Sequence, residues 1–175
     1  MIGYQMGSPL DEKIHLGPMA RDDLRKTLHQ QVLKSVKLGA KLVMGGEIPN
    51  TKGFYYPPTL LLDVRKGMPA FDEELFGPVI AVINADNEID AVQLANQSEY
   101  GLGSAVFTRD LTRGERIARY ELEAGACFVN ALVASDPRVP FGGIKHSGYG
   151  RELSKEGILE FVNTKTVAIH DHDNK

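Results

Sequence analysis

Apolar residues recur at helical spacing near the start of the chain. Between residues 21 and 38 four of them return at every fourth position, and they are Leu24, Leu28, Val32 and Val36. This spacing places the four side chains along one face of a helix. Gly39 follows at the position where many helices end with a positive φ. The pattern therefore predicts a helix over residues 21–38.

Short apolar runs separated by further helical segments continue along the chain. They predict strands at residues 41–44, 59–64, 79–83, 104–108 and 126–129. Helices are predicted at 88–96, from a cap at Asp110 or Thr112 through Leu122, and at 151–161. The five consecutive apolar residues 79–83 are typical of a strand buried on both faces. This alternation predicts an α/β fold, in which helices flank a mostly parallel sheet with right-handed crossovers.

The last third of the chain differs from the rest. Residues 136–150 are crowded with glycine and proline, at Pro137, Pro140, Gly142, Gly143, Gly148 and Gly150. Such a stretch is a loop whose backbone makes special turns or approaches another group closely. Residues 164–170 begin as an alternating, β-branched run, which predicts a final strand, and 171–175 form a polar tail. No repeat or linker divides residues 1–163, which are predicted to form one domain.

Composition argues against several classes of function. The 175 residues are 42% hydrophobic and 25% charged with a net charge of -3, which is ordinary for a soluble globular protein. The sequence has no basic stripe of the kind that binds nucleic acid, and no apolar run approaches the roughly 20 residues that span a bilayer. The amino terminus has no secretory signal pattern. A single cysteine excludes an internal disulfide and fits a cytoplasmic location.

Few side chains stand out as chemical groups on their own. Cys127 falls inside a predicted strand, which favours a small buried residue over a nucleophile. The only histidine pair with metal-ligand spacing is His170-x-His172, on the polar tail, where solvation is the favoured interpretation. The carboxylates of Asp72-Glu73-Glu74 suit either a solvated surface or ribose binding at a sheet edge. His146 lies in the glycine-rich loop, where a role in a site is conceivable.

Several stretches taken together resemble the aldehyde dehydrogenase superfamily, over residues 7–169. Any one of them is weakly specific, but the Glu-Leu-Phe-Gly-Pro and Pro-Phe-Gly-Gly-x-Lys-x-Ser-Gly motifs together are highly specific. The chain is most similar to bacterial succinate-semialdehyde dehydrogenases. The matching stretches are Gly17-Pro18-Met19, Glu73-Glu74-Leu75-Phe76-Gly77-Pro78-Val79, Leu94-Ala-Asn96 with Tyr100-Gly-Leu102, Gly125 with Val129-Asn130, and Pro140-Phe-Gly-Gly-Ile-Lys-His-Ser-Gly-Tyr-Gly-Arg-Glu152.

The resemblance implies a fold, a reaction and roles for particular residues. Residues 1–163 would be the carboxyl-terminal part of a catalytic domain that oxidises an aldehyde, with succinate semialdehyde as the expected substrate, using NAD or NADP. Glu74 would bind the nicotinamide ribose, and Phe76 would support the nicotinamide side. Phe141 would line the aldehyde tunnel, and Ser135 would contact a substrate carboxylate. Residues 164–170 would form an oligomerisation strand that pairs with a neighbouring subunit, giving a homo-oligomer.

The departures from the family pattern are equally informative. The family's Rossmann domain, general-base Glu, oxyanion Asn and Gly-Gln-x-Cys nucleophile motif precede the part that this chain matches, and Cys127 does not fit that motif. Attack needs the sulfur within about 3–3.5 Å of the carbonyl carbon. We therefore expect an inactive fragment with weak binding of NAD or NADP. The alternatives are a subunit complemented by a separate amino-terminal chain, and a non-enzymatic oligomerisation or binding module.

Overall fold

The helices and strands predicted between residues 21 and 161 are present in the predicted order, together with three short elements that were not predicted. The computed structural model describes residues 3–170. Its helices are α1 (Asp22–Lys37), α2 (Pro69–Asp72), α3 (Glu88–Asn96), α4 (Leu111–Tyr120) and α5 (Ser154–Leu159). Its strands are β1 (Lys41–Met44), β2 (Thr59–Leu62), β3 (Val79–Ala81), β4 (Tyr100–Gly101), β5 (Gly103–Val106), β6 (Ala126–Val129) and β7 (Ile144–Lys145).

The chain divides into two compact units, Met1–Ala91 and Val92–Lys175, a division that the sequence did not predict. In the first unit, α1 buries Leu28 and Val32 on the face that the fourfold spacing predicted. Acidic residues in its first turn and lysines in its last turn complement the helix dipole. The core of this unit contains Tyr56, Leu61, Val64 and Met68, together with those two residues.

The short helix α2 was not predicted, although its sequence carries a helix-start signal. Pro69 occupies the first turn, where a missing N–H costs no hydrogen bond. The buried hydroxyl of Ser35 accepts the Ala70 N–H at 2.9 Å and donates to the Gln31 carbonyl at 2.8 Å. This hydroxyl therefore ties α2 to α1 inside the core.

In the second unit, α4 packs against the parallel pair formed by β5 and β6. The Asp110 carboxylate accepts the Arg113 N–H at 3.0 Å, so Asp110 rather than Thr112 caps the helix. Ile117 is buried on the side of α4 that faces the strands. Separately, β4 and β7 form an antiparallel pair.

The prediction of one mostly parallel sheet was wrong. The described strands form three small sheets, and the pairs β1–β2 and β4–β7 are antiparallel while β2–β3 and β5–β6 are parallel. Gly45 and Gly46, both with positive φ, turn the chain away at the end of β1. The connection to β2 contains no helix, so β2 returns antiparallel to β1.

The helix predicted over 151–161 is shorter than expected. Phe141 and Glu152 form an isolated antiparallel bridge, in which the Phe141 N–H donates to the Glu152 carbonyl at 2.9 Å and the Glu152 N–H donates back at 2.8 Å. Leu153 and Ser154 then have φ values of 64° and 53°. This extended pairing keeps Glu152 out of a helix, so α5 begins only at Ser154.

The predicted strand over 164–170 is not present in the structure, where residues 162–170 form neither helix nor strand. A strand needs a neighbouring strand to receive its hydrogen bonds, and pairing with another subunit stays a prediction. The predicted tail at 171–175 lies outside the described residues. Between residues 3 and 170, no helix combines the length and apolar character needed to cross a membrane.

Burial of one core side chain should make the stability of the fold depend on pH. Tyr56 is 1% exposed, and burial raises the pKa of its hydroxyl from 10.0 to about 12. Because the folded-state pKa is the higher one, Tyr56 contributes stability that is complete below pH about 10 and is lost as the pH rises toward about 12. We expect the free energy of unfolding in urea to fall over this range.

A Tyr56→Phe variant should lack this part of the loss, whereas Tyr120→Phe, at a position 80% exposed in the wild type, should retain it. The test compares urea unfolding of the three proteins across the alkaline range. An equal pH slope in wild type and Tyr56→Phe would contradict the assignment.

Candidate functional site

Glu74 lies in the turn that leads from α2 into β3. The side-chain amide of Gln31, on α1, donates to the Glu73 carboxylate at 2.9 Å and to the Glu74 backbone carbonyl at 3.2 Å. The Glu74 carboxylate is exposed and has no hydrogen-bond partner among residues 3–170. The backbone of Glu74 is therefore fixed while its side-chain oxygens remain available to a ligand. Sequence reasoning missed Gln31, since no local signal links it to a turn more than 40 residues away.

Phe76 forms one wall of an apolar pocket in the first unit. Its ring is 67% exposed, and the pocket has a volume of about 390 Å³. Pro18, Leu24 and Pro78 line this pocket with Phe76, as do Gly17 and Met19. Two stretches singled out in the sequence, Gly-Pro-Met and Glu-Leu-Phe-Gly-Pro, thus meet in space although more than 50 residues separate them. The apolar lining of this pocket suits the face of a flat aromatic ring.

Phe141 opens the glycine-rich loop of the second unit. Its ring is half-buried, and its backbone is held by the bridge to Glu152. It lines a pocket of about 460 Å³ together with Tyr149, Arg151 and Phe161. The Arg151 guanidinium donates through Nη1 to the carbonyls of Gly143 and Gly150, at 3.0 and 2.6 Å. This arginine is therefore engaged in closing the loop on itself.

The close backbone approach predicted for the glycine-rich loop is confirmed. A Cβ added to Gly125 would overlap the carbonyl oxygen of Gly142. The same loop contains Lys145, whose ammonium contacts Glu123 and two backbone carbonyls at the end of α3. Sequence reasoning assigned Lys145 to a motif without predicting these partners, which lie far away in the sequence.

Asn130 fixes the backbone at Thr108. Its amide accepts the Thr108 N–H and donates to the Thr108 carbonyl, both at 2.8 Å. Asn130 itself has a positive φ of 55° at the end of β6. Ser135 lies five residues further along and is exposed. The site residues predicted from the resemblance thus fall in both units, with Glu74 and Phe76 in the first, and Ser135 and Phe141 in the second.

The predicted position of Cys127 inside a strand is confirmed. It lies in β6 opposite Ser104 of β5, whose hydroxyl donates to the sulfur at 3.0 Å. The thiol is half-buried rather than fully buried. No group of three or more metal-binding side chains occurs in the described part of the chain. His146 is 3.4 Å from the Glu99 carboxylate, and His172 lies outside the described residues.

Comparison with known proteins gives consistent matches over nearly the whole chain. The sequence model of the aldehyde dehydrogenase family matches residues 2–167. A succinate semialdehyde dehydrogenase [NAD(P)+] from Escherichia coli (strain K12) is 52% identical over 163 residues, which are 93% of this chain and 35% of the relative. The chain therefore spans about a third of the length of the curated relatives that it matches.

Solved structures agree with this match. The structure of a succinic semialdehyde dehydrogenase from Streptococcus pyogenes in complex with NADP+ superposes with a TM-score of 0.92 at 35% identity, over 97% of this chain and 37% of that one. A Mycobacterium tuberculosis aldehyde dehydrogenase complexed with NAD+ gives a TM-score of 0.86 at 38% identity, over 91% of this chain and 33% of that one.

Proposed function

This chain belongs to the aldehyde dehydrogenase family, and from that premise we propose that it supplies the ribose-binding and aldehyde-side walls of an NAD(P)-dependent enzyme. The whole protein would oxidise succinate semialdehyde to the acid. By themselves, the 175 residues would bind cofactor weakly and turn over no aldehyde. The observation that carries this last statement is the place of the only thiol, Cys127, inside a paired strand.

The cofactor side of the proposal rests on Glu74 and Phe76. A carboxylate with free oxygens on a fixed backbone can accept hydrogen bonds from both hydroxyls of a ribose. The exposed Phe76 ring and its apolar pocket suit the adjoining nicotinamide. The bound cofactor, in its oxidised form, would supply the acceptor for the hydride that leaves the aldehyde. The relatives from M. tuberculosis and S. pyogenes, with NAD+ and NADP+ respectively, support a nicotinamide cofactor without choosing between the two.

The substrate side of the proposal rests on Phe141 and Ser135. The half-buried Phe141 ring offers an apolar wall to the carbon chain of a small aldehyde. The exposed hydroxyl of Ser135 can donate to a carboxylate at the far end of that chain. Succinate semialdehyde has both a carbon chain and a carboxylate, and the E. coli and S. pyogenes relatives are named as dehydrogenases of this aldehyde.

The bond-making step needs groups that these residues do not provide. A nucleophilic sulfur has to reach the carbonyl carbon to within about 3–3.5 Å. The sulfur of Cys127 instead accepts a hydrogen bond from Ser104 between two paired strands. We therefore assign the nucleophile and the general base of the whole protein to polypeptide other than these 175 residues.

Two assays test the proposal. The purified chain, mixed with succinate semialdehyde and NAD+ or NADP+, should form no reduced cofactor above the blank. A chimera in which this chain replaces the matching third of the E. coli relative should be active, and Cys127→Ala should leave that activity unchanged. Turnover by the chain alone that Cys127→Ala abolishes would refute the assignment of the nucleophile. A folded but inactive chimera would refute the proposed walls.

Association is the second part of the proposal. Apolar side chains near the carboxyl end are largely exposed, at Phe161 (93%), Val167 (71%) and Ile169 (90%). Burying them against a neighbouring chain would be favourable, and we assign residues 164–170 to pairing with a second copy. A chain that ends at Asn163 should then scatter light as a monomer. Association that persists in this variant would favour another surface, such as one that binds a separate amino-terminal chain.

A further inference from the structure

We propose that Lys145 is the positioning residue that holds Phe141 in the aldehyde-side wall. The inference rests on the proposed role of Phe141. Nothing in the proposed reaction uses the Lys145 ammonium directly, although this residue lies at the centre of the Pro-Phe-Gly-Gly-x-Lys-x-Ser-Gly motif.

The Lys145 ammonium is surrounded by three acceptors from two other parts of the unit. Its Nζ lies 2.7 Å from the Glu123 carboxylate, 2.8 Å from the Asn96 carbonyl and 3.1 Å from the Ser98 carbonyl. An ammonium has three N–H donors, so this set satisfies it completely. Asn96 is the last residue of α3, where the helix dipole favours a positive charge. The side chain is only 25% exposed.

This arrangement differs from an ordinary surface ion pair. An exposed lysine–carboxylate pair contributes little, because water screens the charges and the long side chain loses freedom. Here two of the three partners are backbone carbonyls, whose positions are set by the end of α3 and the turn that follows it. The ammonium therefore anchors the glycine-rich loop to fixed backbone as well as to an exposed carboxylate.

The backbone around Lys145 connects this anchor to Phe141. Lys145 has a φ of 55°, which is unfavourable for a residue with a side chain, so the surrounding contacts have to offset the strain. It pairs with Tyr100 in the two-residue strand β7. Phe141 lies four residues before it and is bridged to Glu152 on its other side. The Glu152 bridge therefore holds Phe141 directly, while the Lys145 ammonium and the Arg151 contact to Gly143 hold the segment that follows it.

Fluorine NMR of the purified chain tests the proposal directly. The chain is labelled with fluorophenylalanine, and the Phe141 resonance is identified by its loss in Phe141→Leu. In Lys145→Met we expect this resonance to shift and broaden, while those of Phe54 and Phe71 in the first unit stay unchanged. Amide exchange over residues 141–145 should accelerate about tenfold, because a hydrogen-bonded charge is lost. The matched control is Lys155→Met, at an exposed lysine on α5, which should alter neither signal.

Two further variants separate the ammonium from the backbone. Lys145→Gly relieves the positive φ but removes the charge, so it should perturb Phe141 as Lys145→Met does. Lys145→Arg keeps the charge and should lie nearer to wild type than Lys145→Met. A wild-type Phe141 resonance in Lys145→Gly, or equal effects of Arg and Met, would overturn the proposal.

A milder variant keeps the test decisive if Lys145→Met and Lys145→Gly do not fold. Glu123→Gln leaves both carbonyl contacts in place and should give a smaller change at the same Phe141 resonance. No change there would overturn the role of the ammonium. These readouts require no enzyme activity. If the chimera were inactive while Phe141 stayed ordered and its resonance depended on Lys145, the proposed function would be refuted. The positioning role of Lys145 would still stand.

Discussion

Gly125→Ala is expected to destabilise the second unit by about 3 kcal/mol or more, because the added methyl group has no space. Its Cβ would overlap the Gly142 carbonyl oxygen, and it would lie 2.8 Å from the Gly142 carbonyl carbon and 3.2 Å from the Gly143 Cα. All three are backbone atoms, which cannot rotate aside as the end of a side chain can. Urea unfolding, monitored through amide exchange at α4 and β6, would measure the loss in the free energy of unfolding.

Gly148→Ala is the matched control, because it changes a glycine of the loop that Gly125 approaches, without a steric clash. Gly148 has a φ of 129°, and a Cβ there would meet nothing within 4 Å. Only backbone strain should result, of about 1–2 kcal/mol. If Gly125→Ala were no more destabilising than Gly148→Ala, the close approach of the two backbone segments would be wrong.

Glu74→Gln in the active chimera is expected to lower kcat/KM for the cofactor by about 10- to 100-fold. The substitution preserves shape but removes the negative charge and one acceptor, and hydrogen bonds to charged groups are worth about 1.5–3 kcal/mol. The Gln31 contact to the Glu74 backbone carbonyl does not depend on this side chain, so the turn should keep its conformation. Steady-state kinetics with varied NAD+ or NADP+ would measure the effect.

Glu73→Gln separates ribose binding from general charge effects at the same turn. The Glu73 carboxylate accepts the Gln31 amide, and a glutamine at this position still offers a carbonyl oxygen to it. Cofactor kinetics should therefore remain within about twofold of the parent chimera, since a single neutral hydrogen bond is worth about 1 kcal/mol or less. Equal losses in the two variants would contradict a specific role for Glu74.

Local patterns predicted the helices well wherever the apolar period was clear. The fourfold spacing predicted α1 to within a residue at each end, and α3 has the predicted bounds. Local patterns did not predict how the strands pair, because pairing depends on contacts between distant segments. The late start of α5 has the same origin, since the Phe141–Glu152 bridge opposes a helix that the local sequence favours.

The candidate site, too, could be predicted only where local sequence motifs mark its residues. The resemblance selected Glu74 and Phe141 because they belong to motifs, and their assigned roles stay predictions. The residues that hold these two in place were missed. Gln31 reaches its turn from 42 residues away, and Lys145 reaches the Asn96 carbonyl from 49. Periodicity and spacing do not report such long-range hydrogen bonds, because each depends on the folded path of the backbone.

The single thiol in β6 can serve as a chemical probe of local opening in the fold. A maleimide can attach at only one position, Cys127, so every adduct reports the same place in the fold. That sulfur is half-buried and held by Ser104 of the adjacent strand, and alkylation should accelerate whenever β5 and β6 separate. Labelling kinetics would then follow local opening of this pair without any engineered probe.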